Sequence, residues 1–181
     1  MPTPDWKEWL KDKEKCRKWL NFYFKNNQIK KKTNESIFYL KKTDHNLKLA
    51  NWLYEKHENE IPKLFKNESF YDWIINMYYY SIYHSILALI SKEGYESKSH
   101  YASLCFIIYN NYYQKKNLSK DEINSIGRFL TKEDIELIGF SKELRERASY
   151  NVHEDFEKDL AEKIRINAIN LINKIKSLVN K

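Results

Sequence analysis

Between Ser69 and Ser91 the chain reads Phe70-Tyr71-Asp72-Trp73-Ile74-Ile75-Asn76-Met77-Tyr78-Tyr79-Tyr80-Ser81-Ile82-Tyr83-His84, and it continues apolar through Ile90. A helix apolar or aromatic almost all round has to be covered on most sides, so the rest of the chain must supply the cover. Three glycines and three prolines in 181 residues leave little material for turns. Average proteins carry roughly 7 % and 5 % of these residues. Long helices wrapped around a central aromatic one are therefore expected. The window Ser81–Ile90 is interrupted by His84 and is shorter than the roughly 20 residues a membrane span needs.

Other helices follow from periodicity and capping. Thr3 and Pro4 form a helix start, and Trp6, Trp9, Leu10, Cys16, Trp19, Leu20 and Tyr23 share one apolar face up to Asn26-Asn27-Gln28. Lys30-Lys31-Lys32-Thr33-Asn34 reads as an exposed connector, and Ile37–Leu40 has no readable type. Thr43 or Asp44 caps a helix with Leu47, Ala50, Leu53, Tyr54 and His57 on one side, and Pro62 marks its end. Gly94 stops the aromatic helix. Ser97 caps the next, through Tyr101, Leu104, Cys105, Ile108 and Tyr112, and Ser119 with Glu122 forms a capping box. A short helix from Thr131 closes at Gly139. A long last helix from about Asp155 to Val179 carries Phe156, Leu160, Ile164, Ala168, Ile172 and Ile175 on one face.

The fold class is all-α, an antiparallel bundle with an additional N-terminal helix. Its loosest boundary falls near residues 26–42, so we divide the chain into a basic extension, 1–42, and a bundle, 43–181. Charge supports that division. Residues 1–42 hold 12 Lys or Arg against 5 Asp or Glu, and the remaining residues hold 20 of each. All of the net charge of +7 thus sits in the first quarter. Such a concentration suits either a polyanion such as RNA, with Lys30, Lys31 and Lys32 as contacts, or a solvated lysine face. Cys16 and Cys105 match no metal-ligand spacing, and no cofactor loop is visible. The N-terminal residues carry no apolar signal region, which places the expected location in the cytoplasm.

One segment offers chemistry. Arg145-Glu146-Arg147-Ala148-Ser149-Tyr150-Asn151-Val152-His153 sets permanent cations beside a side chain that titrates near neutrality. His84 and His100 read as hydrogen-bonded structural residues with no metal-binding company. The Tyr78-Tyr79-Tyr80 run reads mainly as core.

Three pieces carry a family resemblance: Met77 to Ile90, Gly94-Tyr95-Glu96-Ser97-Lys98-Ser99-His100, and Arg145 to Tyr150 ahead of the long last helix. In this order the chain resembles the HEPN superfamily of prokaryotic helical bundles found in toxin–antitoxin, defence and RNA-processing systems. The likeness lies closest to a small branch with an Arg-x-x-Ala-Asp-Tyr motif. It implies a HEPN-type bundle, a homodimer, RNA as substrate or ligand, and a nucleotidyltransferase antitoxin as partner. It also implies a metal-independent endoribonuclease in which Arg147 stabilises the charge on the phosphorane and His153 transfers the proton of the ribose 2′-hydroxyl. The product would be a 2′,3′-cyclic phosphate.

Two registers of the motif stay open. In one, Arg147 pairs with His153. In the other, Arg145 pairs with Tyr150, Ser149 replaces the aspartate, and the site binds phosphate through Arg145 and Arg147 without a proton-transfer group. On an unbroken helix Arg147 and His153 would lie about 240° apart around the axis and about 9 Å along it, so a break near Asn151 or a second subunit has to join them. The second register leaves a catalytically silent module that binds RNA, a nucleotide or a protein.

Overall fold

The computed structural model describes residues 4–57, 59–66, 68–131 and 151–181, and of residues 151–157 the backbone alone. Among the described residues there are eight α-helices and one two-stranded ribbon, so the protein is an all-α bundle. Its axis is the aromatic helix, α5 (Tyr71–Lys92). Tyr71, Ile74, Ile75, Tyr78, Tyr79, Ile82, Ile86, Leu89 and Ile90 are buried along its length. Around it stand α3 (Ser36–His57), the short α4 (Ile61–Phe65), α6 (His100–Ile107) and α7 (Lys120–Leu130). The long last helix, α8 (Asn151–Val179), lays Ala161, Ile164, Ala168, Leu171, Ile172 and Ile175 into the same core. Among the described residues no helix is long and apolar enough to cross a membrane.

The N-terminal region is two helices where the periodicity indicates one. Asp5, not Thr3, caps α1 (Trp6–Lys11), with its carboxylate accepting from the Lys7 N–H at 2.9 Å. The chain then turns extended at Asp12, whose carboxylate accepts from Glu14 and Lys15 N–H groups to start α2 (Lys13–Lys25). An aspartate bonded to backbone two and three residues ahead competes with helix continuation, which is why the periodic face bends here. The bend lets both halves reach the core. Trp9 packs with Trp19, Tyr23 and Tyr101 at ring separations of 5.8, 6.3 and 6.4 Å. Trp6 lies on α7 over Gly127, where an added Cβ would stand 2.6–2.7 Å from three indole atoms.

That notch gives a first prediction. Gly127→Ala should lower stability by about 1–2 kcal/mol, because overpacking costs about 1–3 kcal/mol and the helix propensity gained returns less than about 1. Chemical denaturation reads it directly; a variant as stable as the parent would show that the indole is not held against α7.

The lysine run begins in a strand, and the connector is confined to residues 32–35. β1 (Ile29–Lys31) pairs antiparallel with β2 (Tyr95–Ser97), Ile29 opposite Ser97 and Lys31 opposite Tyr95. Gly94, at φ +81°, ends α5 as its sequence position implies, and its carbonyl accepts from the Lys32 N–H at 2.9 Å. Ile37–Leu40 is the beginning of α3, and the boundary drawn after residue 42 falls inside that helix. Asn34 accepts from the Ser36 N–H at 2.9 Å, while Thr43, a cap by sequence, is buried within the helix and donates to the Tyr39 carbonyl. The cap of α6 is Ser99 rather than Ser97, whereas the Ser119–Glu122 capping box on α7 is present in full. Past α6 the helix widens into a π-helical stretch, Ile108–Gln114.

Candidate nucleic-acid interface

The residues read from the sequence as catalytic, Arg147 and Arg145 with Tyr150, lie outside the described residues. So does the predicted short helix ending at Gly139, apart from its first residue, Thr131, which is the C-cap of α7. α8 is already helical at Asn151, the first residue described after 131, so His153 lies on helical backbone two residues ahead of the expected start at Asp155. Of the predicted contacts on the ribbon, Lys32 is bound by two carboxylates, Glu35 at 3.0 Å and Glu96 at 3.2 Å. Both partners hold its ammonium charged, with its pKa raised, while cancelling its charge locally. Lys30 and Lys31 make no ion pair among the described residues, and Lys31 is exposed.

The structure instead assembles a basic site from two features that are far apart in sequence. α3 and α5 run antiparallel, stitched by the Tyr78 hydroxyl donating to Asn51 Oδ1 at 2.7 Å and by Asn46 Nδ2 to His84 Nδ1 at 3.2 Å. Beside the second contact Lys41, Lys42, His45, Asn46 and His84 line an open cleft of about 390 Å³. Lys41 and Lys42 belong to the cationic first quarter, and His84 to the aromatic helix. Their approach follows from the helix pairing and from no local motif. Among the described residues neither lysine has a carboxylate within ion-pair distance, so both charges face whatever enters. Asp44, the nearest acid in sequence, is turned to Lys176 of α8.

Helical spacing then sets aromatic rings along the same outward face. On α3, Phe38, Lys41, Lys42, His45, Leu49 and Trp52 recur at steps of three and four; on α5, Trp73, Tyr80 and His84 follow at seven and four, again one face. Phe38, Trp52 and Tyr80 are 65 %, 53 % and 51 % exposed. Lys41 sits 6.0 Å from the Phe38 ring centroid, and Tyr80 stacks across His84 at 6.4 Å. Partial burial, with Lys42 adding to it, holds the His84 pKa below its ordinary value. The imidazole is therefore neutral near pH 7. A neutral imidazole carries one donor and one acceptor nitrogen, and Nδ1 lies 3.2 Å from Asn46 Nδ2.

His57 and His100 are structural. His57 is buried, stacks on Tyr71 at 3.8 Å, and accepts from the Phe70 N–H at 2.9 Å, satisfying a donor at the start of α5. His100 opens α6 and meets the Tyr79 hydroxyl at 2.8 Å, with the Tyr83 ring at 4.4 Å. Burial pushes the Tyr79 and Tyr83 hydroxyls up, so both stay protonated and neutral. Of the tyrosine run, Tyr78 and Tyr79 are core, as expected, and Tyr80 is not. Among the described residues no group of three or more His, Cys, Asp or Glu side chains could hold a metal ion.

Sequence reasoning missed His45 and Asn46 and placed His84 only as a structural residue. The signal was there in α3: besides Leu47, Ala50, Leu53 and Tyr54 on one side, it carries Phe38, Leu49 and Trp52 on the other. A helix with rings and lysines on its second face has one apolar set too many for packing alone. No known family model and no curated protein sequence matches the chain.

Proposed function

We propose that this protein is an RNA-binding helical module of HEPN type that takes single-stranded RNA across the α3–α5 face. The observation that carries the reading is the cleft of Lys41, Lys42, His45, Asn46 and His84 bordered by exposed Phe38 and Tyr80, with Trp52 exposed further along α3. Cations engage the phosphates, and rings offer planes on which unpaired bases stack. The amide of Asn46 and the imidazole of His84 add neutral hydrogen-bonding groups, the type that addresses a base edge or a 2′-hydroxyl.

Fluorescence anisotropy with a labelled single-stranded RNA tests this. Binding should weaken with added salt, and Tyr80→Ala should weaken it by about tenfold, in line with about 1–3 kcal/mol per stacked base. Binding that ignores both salt and Tyr80 would sink the proposal. If the chain instead self-associates through this face, RNA and association will compete, and failure to compete assigns them to separate surfaces.

Endoribonuclease activity by Arg147 and His153, within a toxin–antitoxin or defence system, rests on the sequence resemblance. The same goes for the homodimer and the nucleotidyltransferase partner, while the cytoplasmic location rests on the N-terminal composition. Analysis of the RNA after incubation separates activity from binding. New 2′,3′-cyclic phosphate ends, lost in His153→Ala, support cleavage; intact RNA assigns the chain to the silent module.

A further inference from the structure

Cys16 of α2 and Cys105 of α6 are both fully buried, and their sulfurs lie 3.9 Å apart. The contact is reciprocal: Cys16 Sγ faces the Cys105 carbonyl at 3.6 Å, and Cys105 Sγ faces the Cys16 carbonyl at 3.4 Å. Each side chain therefore lies over the other's backbone at a close crossing of the two helices. The sulfurs need to close by about 1.9 Å to reach the length of a disulfide, about 2.05 Å. No other described contact brings two thiols together, and both are free in this structure.

We infer that Cys16 and Cys105 form an intramolecular disulfide when the chain folds in the presence of a disulfide oxidant such as oxidised glutathione, and that the closed fold then shields whichever redox state it captured. In the open chain the Cys16 thiolate attacks one sulfur of glutathione disulfide, releasing one glutathione thiolate and leaving a mixed disulfide. The Cys105 thiolate then attacks the Cys16 sulfur and expels the second glutathione. One disulfide forms and one is broken, and the two cysteine protons end on two glutathione thiols. In the closed fold the same exchange is obstructed. Burial pushes the Cys105 thiol up, away from the reactive thiolate, and neither sulfur is accessible. Timing relative to folding, not exposure afterwards, thus decides the outcome.

The cross-link would join residues 89 apart in sequence and tie the first quarter to the bundle. Closing a loop of that size restricts the unfolded chain strongly. The full chain is unfolded in denaturant and refolded by dilution, once with a glutathione redox couple and once with reductant. The oxidised product is expected to be lighter by two hydrogens, to contain no bound glutathione and to show the native circular dichroism spectrum. Its Tm should stand about 5–15 °C above that of the reduced protein, and it should resist glutathione until unfolded. Cys105→Ala, refolded in parallel, should instead keep a mixed disulfide or a free thiol and lose the Tm difference. Two thiols still titratable in denaturant after oxidative refolding to the native spectrum would overturn the inference. A disulfide-linked product with a non-native spectrum would overturn it too, by showing that the bond does not fit the fold.

Discussion

Trp9→Ala is expected to lower the unfolding free energy of the whole molecule by about 3–5 kcal/mol, the range for emptying a large aromatic site in a core. The indole is 1 % exposed and sits among Trp19, Tyr23 and Tyr101. Its backbone carbonyl also accepts from the Tyr113 hydroxyl at 2.9 Å, so displacement of α1 would strand a phenol that burial has pushed up to about 12. These partners sit on α2, α6 and the π-helical stretch. The loss should therefore appear as a shift of one cooperative transition followed by guanidinium unfolding. A separate early transition, with the main one unmoved, would show instead that residues 1–35 unfold on their own.

Reversing two charges should produce the largest change in binding. With Lys41→Glu and Lys42→Glu together, affinity for single-stranded RNA should fall by about 100-fold at 0.1 M salt. On a single strand each phosphate contact contributes about 0.7 to the slope of log K against log salt. Removing two contacts at 0.1 M therefore accounts for about 25-fold, and the added carboxylates repel the remaining backbone. The slope itself should become shallower by about 1.4 in the corresponding double alanine variant. Both lysines are exposed, so the variants should unfold at the same denaturant concentration as the parent. A 100-fold loss accompanied by lower stability would point to damage rather than to a lost contact. An unchanged affinity would move the RNA to another face, with the smaller cleft between α7 and α8, lined by Arg128 and Lys163, next in order.

The parts of this fold that were legible share a physical cause. The aromatic helix, the Ser119 capping box and the stop at Gly94 are each specified by residues within one or two turns of each other. Where long-range contacts override local pattern, the sequence misled. The first strand looked like a connector because Lys30–Lys32 and Asn34 resemble loop, and the start of α3 at Ile37–Leu40 had no readable type. The strand exists because its partner lies past residue 94, and the Glu35 N–H is anchored by the Ser91 hydroxyl at 2.7 Å. Asp12 was hidden for another reason: a periodic face survives a bend when both halves dock on the same core. The cleft was half legible. Its charges and its histidine were visible as separate features, but only the antiparallel pairing of α3 with α5 sets them side by side.

The small ribbon bears on how the chain comes to be folded at all. β1 cannot find its hydrogen-bonding partner until residues 95–97 exist, and Trp9 cannot be enclosed until Tyr101 does. During synthesis the N-terminal segment must therefore wait, with Trp6 and Trp9 unburied, until residues 101–127 have left the ribosome. Non-local closure of this kind slows folding and lengthens the interval in which apolar surface is open to other molecules. The concentration of lysine in that same waiting segment keeps its copies apart by charge while the rest is made.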